Sequence, residues 1–137
     1  MSKIITIQAK INSPIEKVWK FYTIPEHIKK WNHASEDWHT PSAKNDLRVG
    51  GDFVYRMESK NEEFGFDFKG KYNKVENHKI IAYEMDDKRK VEIQFSSQGK
   101  ETTIIIRFEA ENENSIEMQK SGWQAILNNF KKYVENI

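Results

Sequence analysis

The length of 137 residues is that of a single folded domain, and we treat residues 1–137 as one domain. The chain contains no cysteine, which excludes a disulfide framework, a thiolate zinc site and a cysteine nucleophile. Its 22 basic and 21 acidic side chains give a net charge of +1, and the two signs are interspersed. Because nucleic-acid binders usually carry a basic excess, we expect no nucleic-acid partner.

The first ten residues alternate polar and apolar side chains and lack the unbroken apolar core of a signal peptide. No apolar run approaches the ~20 residues that would cross a bilayer. We therefore expect a cytoplasmic protein with no membrane partner.

The N-terminal third is predicted to form one strand and two short helices. Residues 5–11 alternate in the manner of a half-buried strand. The sequence Ser-Pro-Ile-Glu at residues 13–16 has the form of a capping box with proline at the first helical position, which predicts a helix start. The sequence Thr-Ile-Pro-Glu at residues 23–26 ends this helix and predicts a second one that extends to Trp31.

The middle of the chain is predicted to be mainly strands. Residues 32–46 show no sustained period, so we predict a loop, then a short strand near 43–49 that closes on a bend at Gly50 and Gly51. From residue 53 to residue 108, large apolar side chains alternate with polar ones between short turn sequences. Sequential strands joined by short turns are antiparallel, which gives a sheet of about seven strands.

The C-terminal segment is predicted to be one helix over residues 112–136, with Asn114 or Ser115 as its cap. Its apolar residues recur at the helical period: Trp123, Ile126, Leu127, Phe130 and Val134. A curved antiparallel sheet has an apolar concave face that must be covered, and only this helix is long enough to cover it. The predicted fold class is α+β, a helix-grip arrangement in which the curved sheet wraps around the C-terminal helix.

A bent sheet covered by one helix can leave a cavity, or its aromatic rings can fill the core completely, and both interpretations stay open. The candidate cavity residues are Trp31, Trp38, His39, Phe53, Tyr55, Phe66, Phe68, Trp123 and Leu127. We expect His39 to lie in a loop at the cavity mouth, where an imidazole could donate a hydrogen bond to a ligand or act as a general base.

The sequence contains no recognisable motif for metal or covalent chemistry. His27, His33 and His39 are six residues apart, a spacing that puts no two of them on one helical face. There is no Gly-x-Ser-x-Gly elbow and no phosphate-cradling glycine loop. We therefore predict no cofactor, no metal and no assigned catalytic residue, and we favour a protein that is not an enzyme.

Three segments resemble the SRPBCC superfamily, also called START-like, helix-grip or Bet v-like. They are Pro-Glu-His-Ile-Lys-Lys-Trp at residues 25–31, Asn-Asp-Leu-Arg-Val-Gly-Gly-Asp-Phe at 45–53, and the segment that begins with Gly-Trp at 122–134. The chain is most similar to the branch named for the activator of the ninety-kilodalton heat-shock chaperone's ATPase, the AHSA-type domains. The resemblance covers essentially the whole chain and implies a hydrophobic cavity between the sheet and the C-terminal helix.

Three functional hypotheses follow. The leading hypothesis is a monomer or weak dimer that binds a small apolar or aromatic molecule. The alternative, which the resemblance suggests, is a co-chaperone-like protein-interaction module that contacts the heat-shock chaperone. The third is a cyclase- or hydrolase-like enzyme. A large empty cavity with a His or carboxylate inside favours an enzyme, a cavity with no ionisable group favours a carrier, and a collapsed core favours the interaction module.

Overall fold

The structure is a computed structural model that describes residues 3–137. Within that range, seven strands form one antiparallel sheet, two short helices follow the first strand, and a long helix ends the chain. The elements are β1 (Ile4–Ile11), α1 (Ile15–Thr23), α2 (Pro25–Trp31), β2 (Trp38–Asn45), β3 (Asp52–Ser59), β4 (Gly65–Glu76), β5 (Ile80–Met85), β6 (Lys90–Gln98), β7 (Glu101–Glu109) and α3 (Ile116–Glu135). The strand order is β1-β7-β6-β5-β4-β3-β2, which confirms the predicted α+β helix-grip architecture.

The start of α1 differs from its prediction. The N-cap residue is Pro14, and no side chain caps the first turn, so the capping box assigned to residues 13–16 is wrong. Ser13 is buried instead, and its carbonyl oxygen accepts a hydrogen bond of 2.9 Å from the Thr102 hydroxyl of β7. This contact joins the turn before α1 to the sheet. The helix α2 has Pro25 at its first position and ends at Trp31, as predicted.

The prediction for residues 32–49 was wrong about where the strand lies, because β2 begins at Trp38 and ends at Asn45. Its pairing with β3 is irregular between His39 and Ser42, the stretch that contains Pro41. A bulge breaks the alternation of side chains, and proline has no N–H for the ladder, so the sequence there does not look like a strand.

The predicted bend after this strand is confirmed at Gly50 and Gly51. Gly50 has a φ of +85°, a left-handed conformation that glycine adopts without steric cost. A Cβ on Gly51 would lie 2.1 Å from the Asp46 carbonyl oxygen, so no larger residue fits there.

The helix α3 begins later than residue 112 because the Gln119 side chain holds the preceding segment in a turn. The Gln119 amide nitrogen donates to the carbonyl oxygens of Glu111 and Asn114, and its oxygen accepts from the Glu111 backbone N–H. Ser115 caps the helix by accepting a hydrogen bond of 3.1 Å from the Met118 backbone N–H, which confirms one of the two predicted caps.

Side chains of α3 also bond to the backbone of β1, which is the first strand of the sheet. The Gln124 amide donates to the Gln8 carbonyl oxygen at 3.2 Å, and the Lys131 ammonium donates to the Lys10 carbonyl oxygen at 2.6 Å. These bonds fix the direction in which the helix crosses the sheet.

The C-terminal half of α3 packs into a solid core. Phe130 and Val134 are fully buried. The Phe130 ring meets Tyr22 and Trp31 edge-on, at centroid distances of 5.1 and 4.9 Å. None of the helices in residues 3–137 is long and apolar enough to cross a membrane.

Candidate functional site

A cavity of about 360 Å³ lies between the concave face of the sheet and the N-terminal half of α3. This volume falls within the usual range of small-ligand sites. Inward-facing residues of β3, β4 and β5 form one wall, and residues 118–127 of α3 form the other. The end of α2 closes one side through Trp31.

Seven of the nine candidate residues lie on the cavity wall: Trp31, Phe53, Tyr55, Phe66, Phe68, Trp123 and Leu127. Their rings pack against one another, which fixes the shape of the wall. Phe53 has ring centroids of Tyr55, Phe68 and Tyr83 within 5.7 Å. The Trp123 indole stacks on Phe108 at 3.9 Å, with the planes 10° apart. That these residues contact a ligand remains a prediction.

Trp38 and His39 lie outside the set of lining residues found in the described part of the chain. His39 is in β2, not in a loop, and pairs with Glu58 of β3, with 4.0 Å between its Nε2 and the Glu58 carboxylate. Because Met57 and Ser59 on either side of Glu58 are buried, His39 faces away from the cavity. The Trp38 ring lies 6.0 Å from Phe66, beside the rim.

Sequence reasoning missed three tyrosines of the wall, namely Tyr22, Tyr72 and Tyr83. The Tyr72 hydroxyl donates to the Asn45 side-chain oxygen, and the Asn45 amide nitrogen donates to the Thr23 carbonyl oxygen at 2.7 Å. The cavity therefore has a polar group that is held by the end of α1. The alternation along β4 and β5 was the signal that could have placed Tyr72 and Tyr83 on the inner face.

All of the tyrosines that line the cavity are neutral phenols. Burial raises the pKa of Tyr22, Tyr55, Tyr72 and Tyr83 above the usual value of a tyrosine, because a phenolate would lose its hydration there. Their hydroxyls can therefore donate and accept hydrogen bonds at any physiological pH.

The charged residues of the lining are Arg89 and Glu111, from the β5–β6 turn and the segment before α3. The Arg89 Nε donates to the Asp87 carboxylate at 2.7 Å, so its charge is already paired. The Glu111 carboxylate accepts hydrogen bonds from the backbone N–H and the side chain of Asn114. Among residues 3–137, the lining includes no histidine that could serve as a general base. Glu111 is a carboxylate of the kind that would favour an enzyme, but both of its oxygens already accept hydrogen bonds from Asn114, so neither is free to take a proton from a ligand.

The clustered histidines do not converge on one point. His27 stacks on Phe21, and a hydrogen bond of 2.7 Å joins its Nδ1 to the Tyr133 hydroxyl. The carbonyl oxygen of His33 accepts a hydrogen bond from Asn129, and His39 lies beside Glu58. Within residues 3–137, no group of three or more His, Asp or Glu side chains is placed to hold a metal ion.

A curved seven-stranded sheet that grips a C-terminal helix, with a cavity between them, defines a helix-grip domain of the SRPBCC superfamily. Residues 12–135 match the family described as "Activator of Hsp90 ATPase homolog 1-like protein". The chain belongs to this family.

Solved structures agree with this assignment. The AHSA1-like protein from Aeromonas hydrophila is 42% identical, with a TM-score of 0.92 over 98% of this chain and 93% of that chain. Chr148 from Cytophaga hutchinsonii is 47% identical, with a TM-score of 0.84 over 96% and 92% of the two chains. Protein NE0264 from Nitrosomonas europaea, at 18% identity and a TM-score of 0.83 over 97% and 94%, shares the fold. None of the curated proteins matches the sequence.

Proposed function

We propose that the protein binds a small apolar or aromatic molecule in the cavity between the sheet and α3, and that it does so without catalysis. The observation that carries this proposal is the aromatic cavity of about 360 Å³. It lies in a domain whose other half is packed solid around Phe130 and Val134, which are fully buried. Aromatic walls with a few polar groups are typical of small-ligand sites.

Binding of this kind draws its free energy mainly from apolar burial. A ligand that buries roughly 200 Å² of apolar surface gains about 5 kcal/mol before losses, at about 25 cal/mol per Å². The entropy lost on association takes back several kilocalories. We therefore expect micromolar or weaker affinity unless a polar group of the wall adds a hydrogen bond.

Tryptophan fluorescence tests the proposal directly, because Trp31 and Trp123 line the cavity. Naphthalene is a suitable first probe, since it fits the volume and carries no polar group. We expect saturable quenching and a rise in the unfolding temperature as naphthalene is added. The absence of both effects, for naphthalene and for a panel of fatty acids, flavonoids and apolar dyes, would contradict the proposal.

A matched pair of variants on α3 locates the binding. Gly122 lines the cavity, and a Cβ built there meets no atom within 4 Å, so Gly122→Leu places a side chain in the space. Ser121→Leu places the same leucine side chain at the exposed neighbouring position. We expect Gly122→Leu to weaken naphthalene binding at least about tenfold and Ser121→Leu to leave it unchanged. Equal affinities of the two variants would place the binding elsewhere.

A second candidate function is a co-chaperone-like contact, which the family description suggests and which exposed apolar residues favour. Phe64, Phe66 and Met118 are 66%, 46% and 62% exposed. If these residues bind the ninety-kilodalton heat-shock chaperone, adding the protein should change the ATPase rate of that chaperone, and Phe64→Ser should reduce the effect. An unchanged ATPase rate at saturating protein would argue against this function.

The cytoplasmic location expected from the sequence belongs to the same proposal. Fractionation of the host cell, with detection by antibody, tests it. Recovery of the protein outside the cytoplasmic fraction would overturn it.

A further inference from the structure

The hydroxyls of the cavity tyrosines differ in their hydrogen bonding. Tyr72 bonds to Asn45, and the hydroxyls of Tyr55 and Tyr72 interact with each other. The Tyr83 hydroxyl, like that of Tyr22, bonds to no other group in residues 3–137, although Tyr83 is only 6% exposed. Every fully buried side-chain nitrogen or oxygen in that range has a partner, so the Tyr83 hydroxyl must open onto the cavity that it lines.

The position of the Tyr83 hydroxyl is fixed before any ligand arrives. Its ring meets Phe53 edge-on at 4.7 Å and 72°, and it also meets Phe68 and Tyr72 at 6.3 and 6.2 Å. A side chain held in this way loses little rotational freedom when it forms a hydrogen bond, so most of the bond contributes to affinity.

The charges near Tyr83 do not favour an anionic ligand group. Arg89 is close enough to Tyr83 to counteract part of the effect of burial on its pKa. However, the guanidinium of Arg89 already bonds to the Asp87 carboxylate at 2.7 Å, and Glu111 lines the same cavity. The lining therefore holds one carboxylate and one guanidinium that Asp87 already pairs, and a buried carboxylate of a ligand would have no unpaired cation to compensate it.

We infer that the natural ligand is an aromatic molecule with a neutral hydrogen-bonding group, such as a phenolic hydroxyl or a carbonyl, which bonds to the Tyr83 hydroxyl. The Tyr22 hydroxyl, on the same wall, is available as a second partner. This inference rests on the proposed function, because it names the class of molecule that the cavity accepts.

Three probes with one carbon skeleton separate the contributions: naphthalene, naphthol and naphthoate. Each is titrated by tryptophan quenching into the wild type, Tyr83→Phe and the control Tyr133→Phe. The control removes a hydroxyl that bonds to His27, outside the cavity lining found in the described residues. Thermal unfolding shows whether each variant is folded, and we expect Tyr83→Phe to fold normally because no protein hydrogen bond is lost.

We expect the wild type to bind naphthol about 2- to 10-fold more tightly than naphthalene, the factor that one hydrogen bond supplies. Tyr83→Phe should bind the two probes almost equally, through weaker naphthol binding and unchanged naphthalene binding. If the Tyr22 hydroxyl replaces that of Tyr83 as the partner of the ligand, Tyr83→Phe keeps the preference for naphthol. In that case only the variant that combines Tyr22→Phe with Tyr83→Phe loses the preference. Tyr133→Phe should keep the wild-type preference, and naphthoate should bind more weakly than naphthol.

The outcomes distinguish this inference from the proposed function. Equal binding of naphthalene and naphthol by the wild type, or a preference for naphthol that survives in the double variant, overturns the inference and leaves apolar binding intact. Naphthoate that binds as tightly as naphthol overturns the preference for a neutral group. Failure of all three probes while a fatty acid or another member of the panel binds overturns the inference alone. Failure of the three probes and of the whole panel removes the proposed function itself.

Discussion

The two halves of α3 perform different tasks. In the C-terminal half, Phe130 and Val134 are fully buried against the sheet and the short helices. In the N-terminal half, Met118 is 62% exposed, and Gly122 and Trp123 line the cavity. One helix therefore stabilises the fold at one end and leaves room for a ligand at the other. Substitutions in the two halves should consequently separate stability from binding.

The largest expected effect is in the solid half. Phe130→Ala removes a fully buried ring that contacts Tyr22 and Trp31, and it should lower the free energy of unfolding by about 3–5 kcal/mol. The counterpart in the other half, Met118→Ala, should change it by less than about 0.5 kcal/mol. Urea denaturation measures both. Similar losses for the two variants would show that the division between the halves is incorrect.

A second comparison lies within the cavity wall, between Tyr72 and Tyr83. Tyr72→Phe leaves the Asn45 side-chain oxygen without its bond from the phenol, so it should cost about 1–3 kcal/mol of unfolding free energy. Tyr83→Phe removes a hydroxyl that bonds to no protein group in residues 3–137 and should cost almost nothing. If Tyr83→Phe proved as destabilising as Tyr72→Phe in the same urea experiment, the Tyr83 hydroxyl would not be free.

A smaller effect, in the opposite direction, is expected at Gly122. Alanine is favoured over glycine inside a helix by up to about 1 kcal/mol, and a Cβ at Gly122 meets no atom within 4 Å. Gly122→Ala should therefore raise the free energy of unfolding by about 0.5–1 kcal/mol. A loss of stability, measured by urea denaturation, would mean that the cavity is narrower at this point.

The smallest effect concerns pH. Burial, with a contribution from nearby Lys20, lowers the pKa of His27 below its ordinary value of 6.5. The unfolded chain therefore binds a proton more readily than the folded protein does. The contribution of His27 to stability is complete above about pH 6.5 and is lost as the pH falls through the lowered pKa of the folded state. The His27→Gln variant should therefore lose less stability than the wild type as the pH falls below about 6.5. Thermal unfolding at a series of pH values measures this difference. Equal losses in the two proteins would contradict the role given to His27.

Much of the fold could be predicted because its strands are half-buried. Alternating apolar residues predicted β1 and the strands from β3 to β7, and the helical period predicted α3. The sequence places the strand β2 too late in the chain because its irregular register and Pro41 hide the alternation of side chains. The pairing of β2 with β3 is a tertiary interaction, which leaves no local pattern in the sequence. The start of α3 depends on the Gln119 side chain, whose bonds to the preceding turn leave no periodic signal.

The candidate site was only partly predictable. Aromatic residues on inward-facing strand positions identified Phe53, Tyr55 and Phe68. The sequence alone places His39 at the cavity mouth because the stretch before residue 43 shows no strand period, whereas its position in β2 turns the imidazole toward Glu58. No sequence pattern could show whether the tyrosine hydroxyls are bonded to protein or left free. That property depends on distances between strands that are far apart in sequence.

The two outermost strands of the sheet also bear on aggregation. An unprotected strand edge can pair with an edge of another molecule, and proteins usually block such pairing. In β2 the block is the irregular stretch with Pro41, which belongs to the strand itself. In β1 it depends on Gln124 and Lys131 of α3, which bond to backbone carbonyls of the strand. A variant that releases the helix would therefore expose β1 to edge-to-edge association, whereas a variant confined to the cavity would leave both edges protected.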